Sequence, residues 1–315
     1  MRSQRARALS FVIGLVMCLG LICLGLAGCK SRATVKAHAD ASVIADAGVV
    51  AIVDAGAIAD AGARAESMLS DEGELAVETT RRWIAGGYLK DHDAPMLVET
   101  MRAAYARMKR EEHDPASAGH VDVVKLEGAD PSLLVLGGQA RDKGAIIFLH
   151  GWGGRWALPC WQIARTVKAL GVVTACPDLG LSAKWWNAEG ESVLRAAATA
   201  LQAAGHRTII LSGLSNGASG AARMPGRIEG TFDSLVLVSG AEPYLPAPGV
   251  PTIVLHGRKD LITGFASART YAKRRSARLV PLEAGHFAML VNADAFEQAL
   301  FAFVRERVQT AAPAP

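Results

Sequence analysis

One serine of this 315-residue chain stands in a pattern that could make its hydroxyl a nucleophile. Ser215 lies between Gly213 and Gly217 in the run Gly-Leu-Ser-Asn-Gly, just after the apolar residues 208–211. Glycines two residues before and two residues after the serine leave room for a sharp strand-to-helix turn that projects the hydroxyl. The following helix would direct its positive end at a developing oxyanion. The pattern predicts nucleophilic catalysis at Ser215; the alternative is a glycine-rich turn with a buried capping serine.

A nucleophilic serine requires two further side chains. Its hydroxyl attacks weakly until an adjacent imidazole accepts the proton, and an acid must hold that imidazole in the right tautomer. The chain offers 8 histidines and 30 acidic residues, so residue type alone cannot select the partners. The base and the acid must therefore be identified by their positions in the fold.

The elements that would position these groups are visible after His120, where short β-rich runs alternate with helical stretches. The β-rich runs are 121–126, 133–136, 145–149, 172–175, 208–211, 235–238, 252–255 and 279–282. The helical stretches include 161–170, 191–203, 266–275 and 293–308. Near-continuous apolar strands that alternate with helices predict an α/β fold with a mostly parallel sheet of about eight strands, covered on both faces. Active groups of such sheets gather at the carboxyl ends of the strands.

A second motif follows the run 145–149, where residues 150–154 read His-Gly-Trp-Gly-Gly. With the serine motif, it makes residues 121–310 resemble the α/β-hydrolase superfamily. In that family the loop after the third strand begins His-Gly and supplies one oxyanion donor. The resemblance implies that the backbone N–H groups of Trp152 and Asn216 form the oxyanion hole, and that His150 is structural.

The same resemblance points to an acid and a base. Residues 256–260 read His-Gly-Arg-Lys-Asp and are similar to the family's acid loop, which implies that Asp260 is the acid; Glu242 is the rival. Gly-His-Phe at 285–287 resembles the family's histidine loop and implies that His286 is the base. The order Ser215, Asp260, His286 is that of the family. A serine nucleophile, rather than an aspartate, argues against dehalogenase or epoxide-hydrolase chemistry.

Other motifs bear on cofactors and on the pocket. The chain contains no His-Glu-x-x-His, paired Cys-x-x-Cys or Gly-x-Gly-x-x-Gly pattern, so we predict neither a metal nor a nucleotide cofactor. Four tryptophans on loops after the third and fourth runs could form an apolar wall of the pocket, or could cover the edge of the sheet. They are Trp152, Trp156, Trp185 and Trp186.

The segment 240–250, where this family usually inserts a large cap domain, is short. We therefore expect no large cap and a rather open site, covered at most by the N-terminal helices and the loop 184–189. Such a site favours small or exposed esters over long-chain lipids.

The N-terminus indicates where the protein works. Three arginines precede the apolar run 11–28, and residues 26–29 read Leu-Ala-Gly-Cys, which resembles a bacterial lipobox. The resemblance implies a signal peptide over 1–28, lipidation of Cys29 and anchoring to the cell envelope; Lys30, in place of an aspartate, favours the outer membrane. The alternative is an uncleaved membrane anchor. Either alternative places the rest of the chain outside the cytoplasm.

Composition limits the remaining regions and the partners. Hydrophobic residues make up 50% of the chain and charged residues 20%, which excludes a mostly disordered protein. Loss of the leader arginines lowers the formal net charge from +4 to +1 and argues against nucleic-acid binding.

The Ala-rich residues 29–66 predict a flexible tether. The segment 67–120 predicts two helices, whose apolar stripe is core packing or, alternatively, a lid.

Two cysteines remain in the mature chain besides Cys29. An even number of cysteines in an oxidising compartment favours pairing, and Cys160 and Cys176 are two. Cys160 lies near the start of a predicted helix and Cys176 at the end of a predicted strand, and these two ends should lie on the same side of a parallel sheet. We predict a disulfide between them; the alternative is a pair of small buried hydrophobic residues.

These observations together predict an exported serine hydrolase, with a small ester or acyl compound as its substrate. Carboxylic ester hydrolysis is the first hypothesis. Peptide or amide hydrolysis by the same triad is the second. A catalytically silent α/β-hydrolase-fold lipoprotein that binds a ligand is the third.

Overall fold

The computed structural model of the protein describes residues 61–91, 93–130, 132–137 and 144–310. The proposed signal peptide, the lipidation site at Cys29 and most of the proposed tether lie outside these ranges. Within them, no helix is both long and apolar enough to cross a lipid bilayer.

Seven strands form one sheet in the described residues. They are β1 (Leu134–Leu136), β2 (Ala145–Leu149), β3 (Val173–Cys176), β4 (Ile209–Leu214), β5 (Ser234–Val238), β6 (Thr252–Gly257) and β7 (Arg278–Leu282), in the order β1-β3-β2-β4-β5-β6-β7. β1 pairs antiparallel with β3, and every other pair is parallel. The predicted α/β fold with a mostly parallel sheet is therefore confirmed.

Both faces of the sheet are buried, which explains why its central strands are apolar without interruption. In β2, Ile146 and Phe148 point into one core cluster, while Ile147 and Leu149 point into the other. The helices that follow the strands cover these faces. They are α3 (Ala157–Val167), α4 (Ala188–Ala203), α5 (Asn216–Ala221), α6 (Phe265–Arg275), α7 (Ala288–Val291) and α8 (Ala293–Thr310).

The predicted strand 121–126 is wrong. Only a single antiparallel bridge, between Val123 and Leu136, marks its place at the edge of the sheet. Two backbone hydrogen bonds join the segment to this edge, from the Val124 N–H to Val135 and from the Gly137 N–H to Asp122, and they do not extend into a ladder. The apolar side chains of Val124 and Leu126 pack on the outside of the core instead.

Two helices precede the sheet: α1 (Ala61–Ala85) and α2 (Ala94–His113). We call them, with the residues between them, the N-terminal hairpin. α1 begins inside the range predicted as a tether, and the high helix propensity of its alanines explains this difference. One face of α2 is buried against the body through Leu97, Met101, Tyr105 and Met108, as expected for core packing.

Polar contacts also join the N-terminal hairpin to α3. Glu112 accepts a hydrogen bond of 2.6 Å from the indole N–H of Trp161. The guanidinium of Arg165 lies between Glu111 at 3.0 Å and Glu297 of α8 at 2.7 Å. These partly buried charges satisfy one another, so the hairpin packs on the body through a bonded interface as well as an apolar one.

Between β5 and β6, residues 240–250 form turns and contain no helix or strand. The prediction that no large cap domain is inserted there is confirmed. The N-terminal hairpin instead contacts the loops that follow β2, β6 and β7.

Candidate active site

Ser215 occupies the sharp turn between β4 and α5. Its backbone has φ 55° and ψ −117°, a conformation that non-glycine residues rarely adopt. The Ser215 N–H donates to the carbonyl of Val238 at 2.9 Å, which ties the turn to the neighbouring strand β5. Strained residues of this kind persist only where the surroundings over-determine them, and they cluster at functional sites.

The surrounding glycines are required by close packing. A Cβ on Gly217 would lie 2.0 Å from the carbonyl oxygen of Leu149, and a Cβ on Gly213 would lie 2.2 Å from the carbonyl carbon of Gly217. Both distances are far below van der Waals contact with backbone atoms that cannot move aside. The turn therefore requires glycine at both positions, because any side chain there would overlap backbone atoms.

The predicted base and acid are brought together. Nδ1 of His286, in the loop between β7 and α7, lies 3.0 Å from Oδ2 of Asp260, which follows β6. Both side chains are buried. The other carboxylate oxygen of Asp260 accepts backbone N–H bonds from Ile262 at 2.8 Å and Thr263 at 3.0 Å.

A second histidine contacts the same carboxylate. Nε2 of His256 lies 3.1 Å from Oδ2 of Asp260, and the His256 side chain is fully buried. Burial opposes the ionisation of Asp260, but the hydrogen bonds from His256 and His286 outweigh it and hold the pKa of Asp260 well below its usual range. This contact was not predicted from the sequence, although the His-Gly-x-x-Asp pattern places His256 four residues before the acid.

Glu242, the rival acid, lies elsewhere. Its carboxylate contacts the Ser219 hydroxyl at 3.4 Å and forms a short hydrogen bond with Tyr244. In the described part of the chain, the carboxylate bonded to His286 is Asp260 and not Glu242.

Ser215 and His286 line one cavity of about 370 Å³. In the described residues no hydrogen bond joins the Ser215 hydroxyl to His286. Catalytic hydrogen bonds are often long in structures without substrate and tighten when the substrate binds.

The residues of the two proposed oxyanion donors line the same cavity as Ser215. Asn216 is the first residue of α5, and Trp152 lies in the loop after β2. Gly151 packs closely there, because a Cβ on it would lie 3.3 Å from Cβ of Ser215. Nδ1 of His150 bonds the carbonyl of Gly151 at 2.8 Å, and its Nε2 accepts the N–H of Leu179 at 3.1 Å. His150 thus shapes the loop that carries Trp152.

The cavity wall is largely apolar and comes from two regions. The body contributes Phe148, Trp156, Leu158 and Leu214 among others, and the N-terminal hairpin contributes Ala76, Thr80, Trp83, Leu89, Met101 and Tyr105 among others. No Asp, Glu, Lys or Arg occurs among the described lining residues. An uncharged, apolar group would fit this wall.

Of the four tryptophans predicted near the pocket, Trp152 and Trp156 line the cavity. The prediction is wrong for Trp185, whose ring is fully buried and whose N–H donates to the His150 carbonyl at 2.9 Å. It is also wrong for Trp186, whose ring lies under the guanidinium of Arg223 and not on the cavity wall. Both follow β3, but Trp185 packs against Gly220 of α5, a contact that spacing along the chain did not reveal.

Cys160 of α3 and Cys176 at the end of β3 are joined by a disulfide, with their Cα atoms 6.3 Å apart. The described residues contain no cluster of three or more side chains suited to bind a metal ion.

The antiparallel strand at the edge of a parallel sheet, the serine turn after β4 and the order of the three side chains together decide the fold. It is that of the α/β-hydrolases.

Comparisons with known proteins add little to this assignment. No family model and no curated protein matches the chain. Among solved structures, it is similar to an α/β serine hydrolase without lid from Xanthomonas campestris, with 20% identity over 62% of this chain and 97% of that chain and a TM-score of 0.47. It is also similar to the esterase domain of a Rhodothermus marinus protein, with 16% identity over 60% and 100% and a TM-score of 0.45. Similarities this distant carry no information on substrate.

Proposed function

We propose that the protein is a serine hydrolase that cleaves carboxylic esters through Ser215, His286 and Asp260. The observation that carries the proposal is the strained Ser215 turn, which faces the same cavity as a buried histidine bonded to a buried aspartate. A purely structural role for Ser215 would not require a histidine–aspartate pair at the same cavity.

The proposed reaction has two halves. His286 removes the Ser215 proton as the hydroxyl attacks the ester carbonyl, and the N–H groups of Trp152 and Asn216 stabilise the resulting oxyanion. The imidazolium then protonates the leaving alcohol, which leaves an acyl group on Ser215. Water activated by His286 releases the acid and restores the serine.

Asp260 would support both halves as an anion. The hydrogen bonds that keep its pKa well below the usual range leave it ionised at any pH at which the protein works. A permanent negative charge at 3.0 Å from Nδ1 orients His286 and stabilises the imidazolium that forms.

The cavity supports an ester with an apolar, uncharged acyl or alcohol group. Its volume of about 370 Å³ is near the lower end of the range for small-molecule sites. The absence of a charged side chain from the described lining residues disfavours a charged substrate group. We expect short and medium acyl chains to be preferred.

A fluorophosphonate probe tests the chemistry, and an ester series tests the substrate class. We expect the probe to label the wild-type protein at Ser215 and not Ser215→Ala. We expect p-nitrophenyl esters of increasing chain length to be hydrolysed with an optimum at short to medium chains, ahead of peptide amides. Preference for amides would replace esterase by peptidase or amidase. Failure of the folded protein to label or turn over would instead leave a binding lipoprotein.

We also propose that the protein is exported and lipid-anchored at Cys29. The arginine-rich leader and the Leu-Ala-Gly-Cys sequence support this, and a disulfide between Cys160 and Cys176 fits an oxidising compartment. Cys29→Ser should abolish lipidation and release the protein from the membrane fraction. An uncut N-terminus with unchanged membrane association, read by mass spectrometry, would support an uncleaved anchor.

A further inference from the structure

The tip of the N-terminal hairpin, residues 86–91 and 93, reaches the loops that carry the acid and the base. Oδ1 of Asp91 accepts the backbone N–H of Leu261 at 2.7 Å, and Leu261 directly follows Asp260. Oδ2 of Asp91 accepts the backbone N–H of His286 at 2.6 Å. A single carboxylate therefore bridges the two loops that must hold His286 and Asp260 in register.

The neighbouring Asp93 makes a simpler contact. Its Oδ2 accepts the N–H of Gly285 at 2.7 Å. Asp91 and Asp93 are each only 6% exposed. A Cβ on Gly285 would lie 2.4 Å from Oδ1 of Asp93 and 2.6 Å from Cβ of Asp91, so the glycine is what allows the hairpin tip to approach the histidine loop.

The hairpin also contacts the third catalytic loop. The ring of Trp83 lies against that of Trp152, with centroids 5.4 Å apart. A Cβ on Gly153 would lie 3.1 Å from the Trp83 ring. One N-terminal element thus contacts the loops assigned to the oxyanion donor, the acid and the base.

We propose that Asp91 is a positioning residue for the catalytic triad, and that the N-terminal hairpin is part of the active site rather than a spacer before it. This inference rests on the proposed function. Charge-assisted hydrogen bonds to backbone N–H groups are strong and directional, and two of them from one carboxylate fix the spacing of their donors. Misplacement of a catalytic group by 1 Å can cost about 10²-fold in rate.

The competing explanation is that Asp91 only anchors the hairpin, whose residues line the cavity. The two explanations predict different kinetics. Loss of an anchor would loosen the cavity wall and raise KM. Loss of triad positioning would lower kcat and leave KM nearly unchanged.

Asp91→Asn tests the proposal because asparagine keeps the shape but has only one acceptor oxygen. The NH2 group that replaces the second oxygen would face a backbone N–H, so that two donors would oppose each other and one hydrogen bond would be lost. We expect kcat for the best p-nitrophenyl ester to fall by about 10- to 100-fold, with KM changed by less than about 3-fold. Rates should be expressed per site titrated with fluorophosphonate, so that misfolded protein is not counted.

Two matched variants sharpen the test. Asp93→Asn keeps an oxygen for its single acceptor contact with Gly285, so its loss of kcat should be much smaller than that of Asp91→Asn. Glu99→Gln also removes a charge from the hairpin, but Glu99 is exposed and pairs with Arg102. Its kinetics should match those of wild type.

The outcomes separate cleanly. An unchanged kcat in Asp91→Asn, or an effect confined to KM, would overturn the proposal while the wild-type activity stands. If Asp91→Asn does not fold, Asp91→Ala replaces it, because alanine removes the clash between donors and leaves room for water. If neither variant folds while Asp93→Asn does, Asp91 is a stability residue and the proposal is wrong. An inactive wild type would refute the proposed function itself.

Discussion

The serine turn and the hairpin tip both hold catalytic groups in place, but they do so over very different distances along the chain. The residues that form the turn all lie within 213–217, although they also contact Leu149 and Val238 in neighbouring strands. The Asp91 carboxylate instead joins partners 170 and 195 residues away in the sequence, Leu261 and His286. The residues of the turn are contiguous, so they form a motif that can be recognised in the sequence. The residues of the hairpin tip have distant partners, so in the sequence Asp91 and Asp93 are two ordinary aspartates in a break between helices.

The two regions also differ in what stabilises them. The turn depends on glycines whose missing side chains let backbones touch, as Gly217 does at Leu149. The hairpin depends on buried carboxylates that accept backbone N–H groups, and on an apolar stripe of α2 that is buried against the body. Changes of shape should therefore damage the turn, and changes of charge should damage the hairpin.

The largest expected effect falls on the residues that these two regions support. Ser215→Ala and His286→Ala should each lower kcat by roughly 10⁴-fold or more with little change in stability, and Asp260→Asn should cost somewhat less. Combining the serine and histidine changes should add little, because the triad acts as a unit. Steady-state kinetics with a thermal melt of each variant check this. Substantial turnover by purified Ser215→Ala would exclude the assignment.

A change of shape in the turn should come next. In Gly217→Ala the new Cβ would overlap the Leu149 carbonyl, with only backbone on either side to give way. We expect the free energy of unfolding to fall by about 3 kcal/mol or more, with loss of esterase activity. Gly226→Ala is the control, since a Cβ there meets no atom within 4 Å. Equal urea midpoints for the two variants would show that the turn tolerates a side chain.

The contrast between the regions also explains what could be predicted from sequence. The run 145–149 matched β2 to the residue, because a strand buried on both faces has an uninterrupted apolar signature. The run 121–126 includes Asp122 and Lys125 and lies at the edge of the sheet, where it forms a single bridge to Leu136 and no strand. A partly charged run at an edge therefore predicts a strand less well than an apolar run that is buried on both faces.

The same limit applies to the site. The motifs predicted Ser215, Asp260 and His286 because each stands in a local pattern after a strand; Ser215 and His286 line one cavity, and Asp260 is bonded to His286. Trp185 was misplaced because the direction of a loop is set by tertiary packing. Asp91 was seen only as an interruption between two helices, since nothing near it in sequence indicates that its partner lies in the histidine loop.

A covalent link in the body offers a further comparison, because it stabilises by closing a loop of the chain and not by packing or charge. Cys160 and Cys176 are 16 residues apart and tie α3 to β3. Replacing both by alanine should lower the free energy of unfolding by about 3 kcal/mol. Because α3 begins beside the cavity residue Trp156, we also expect a modest rise in KM. Two free thiols in denatured, unreduced protein from the periplasm would show that the bridge does not form there.

The smallest effect concerns charge at the other end of the hairpin. Glu72 of α1 accepts hydrogen bonds from the Tyr105 hydroxyl and from the backbone N–H of Ala157, at the start of α3, both at 2.6 Å. Burial raises the pKa of Glu72 from 4.5 to about 7, although these bonds act in the opposite direction. Between about pH 4.5 and 7, the folded protein therefore holds a proton on Glu72 that the unfolded chain has already released.

The sign of the pH effect follows from that difference. The contribution of Glu72 to stability is fully present below about pH 4.5 and is lost as the pH rises through about 7. Between pH 5 and 8 the loss should be about 2 kcal/mol. Glu72→Gln, which cannot ionise, should remove this part of the pH dependence of urea unfolding, whereas Glu78→Gln on the exposed face of α1 should keep it. The free energies of unfolding of wild type and Glu72→Gln should therefore differ by an amount that changes between pH 5 and 8. If that difference is constant with pH, Glu72 is already ionised in the folded protein. The hairpin is then held to α3 by a carboxylate rather than by a carboxylic acid.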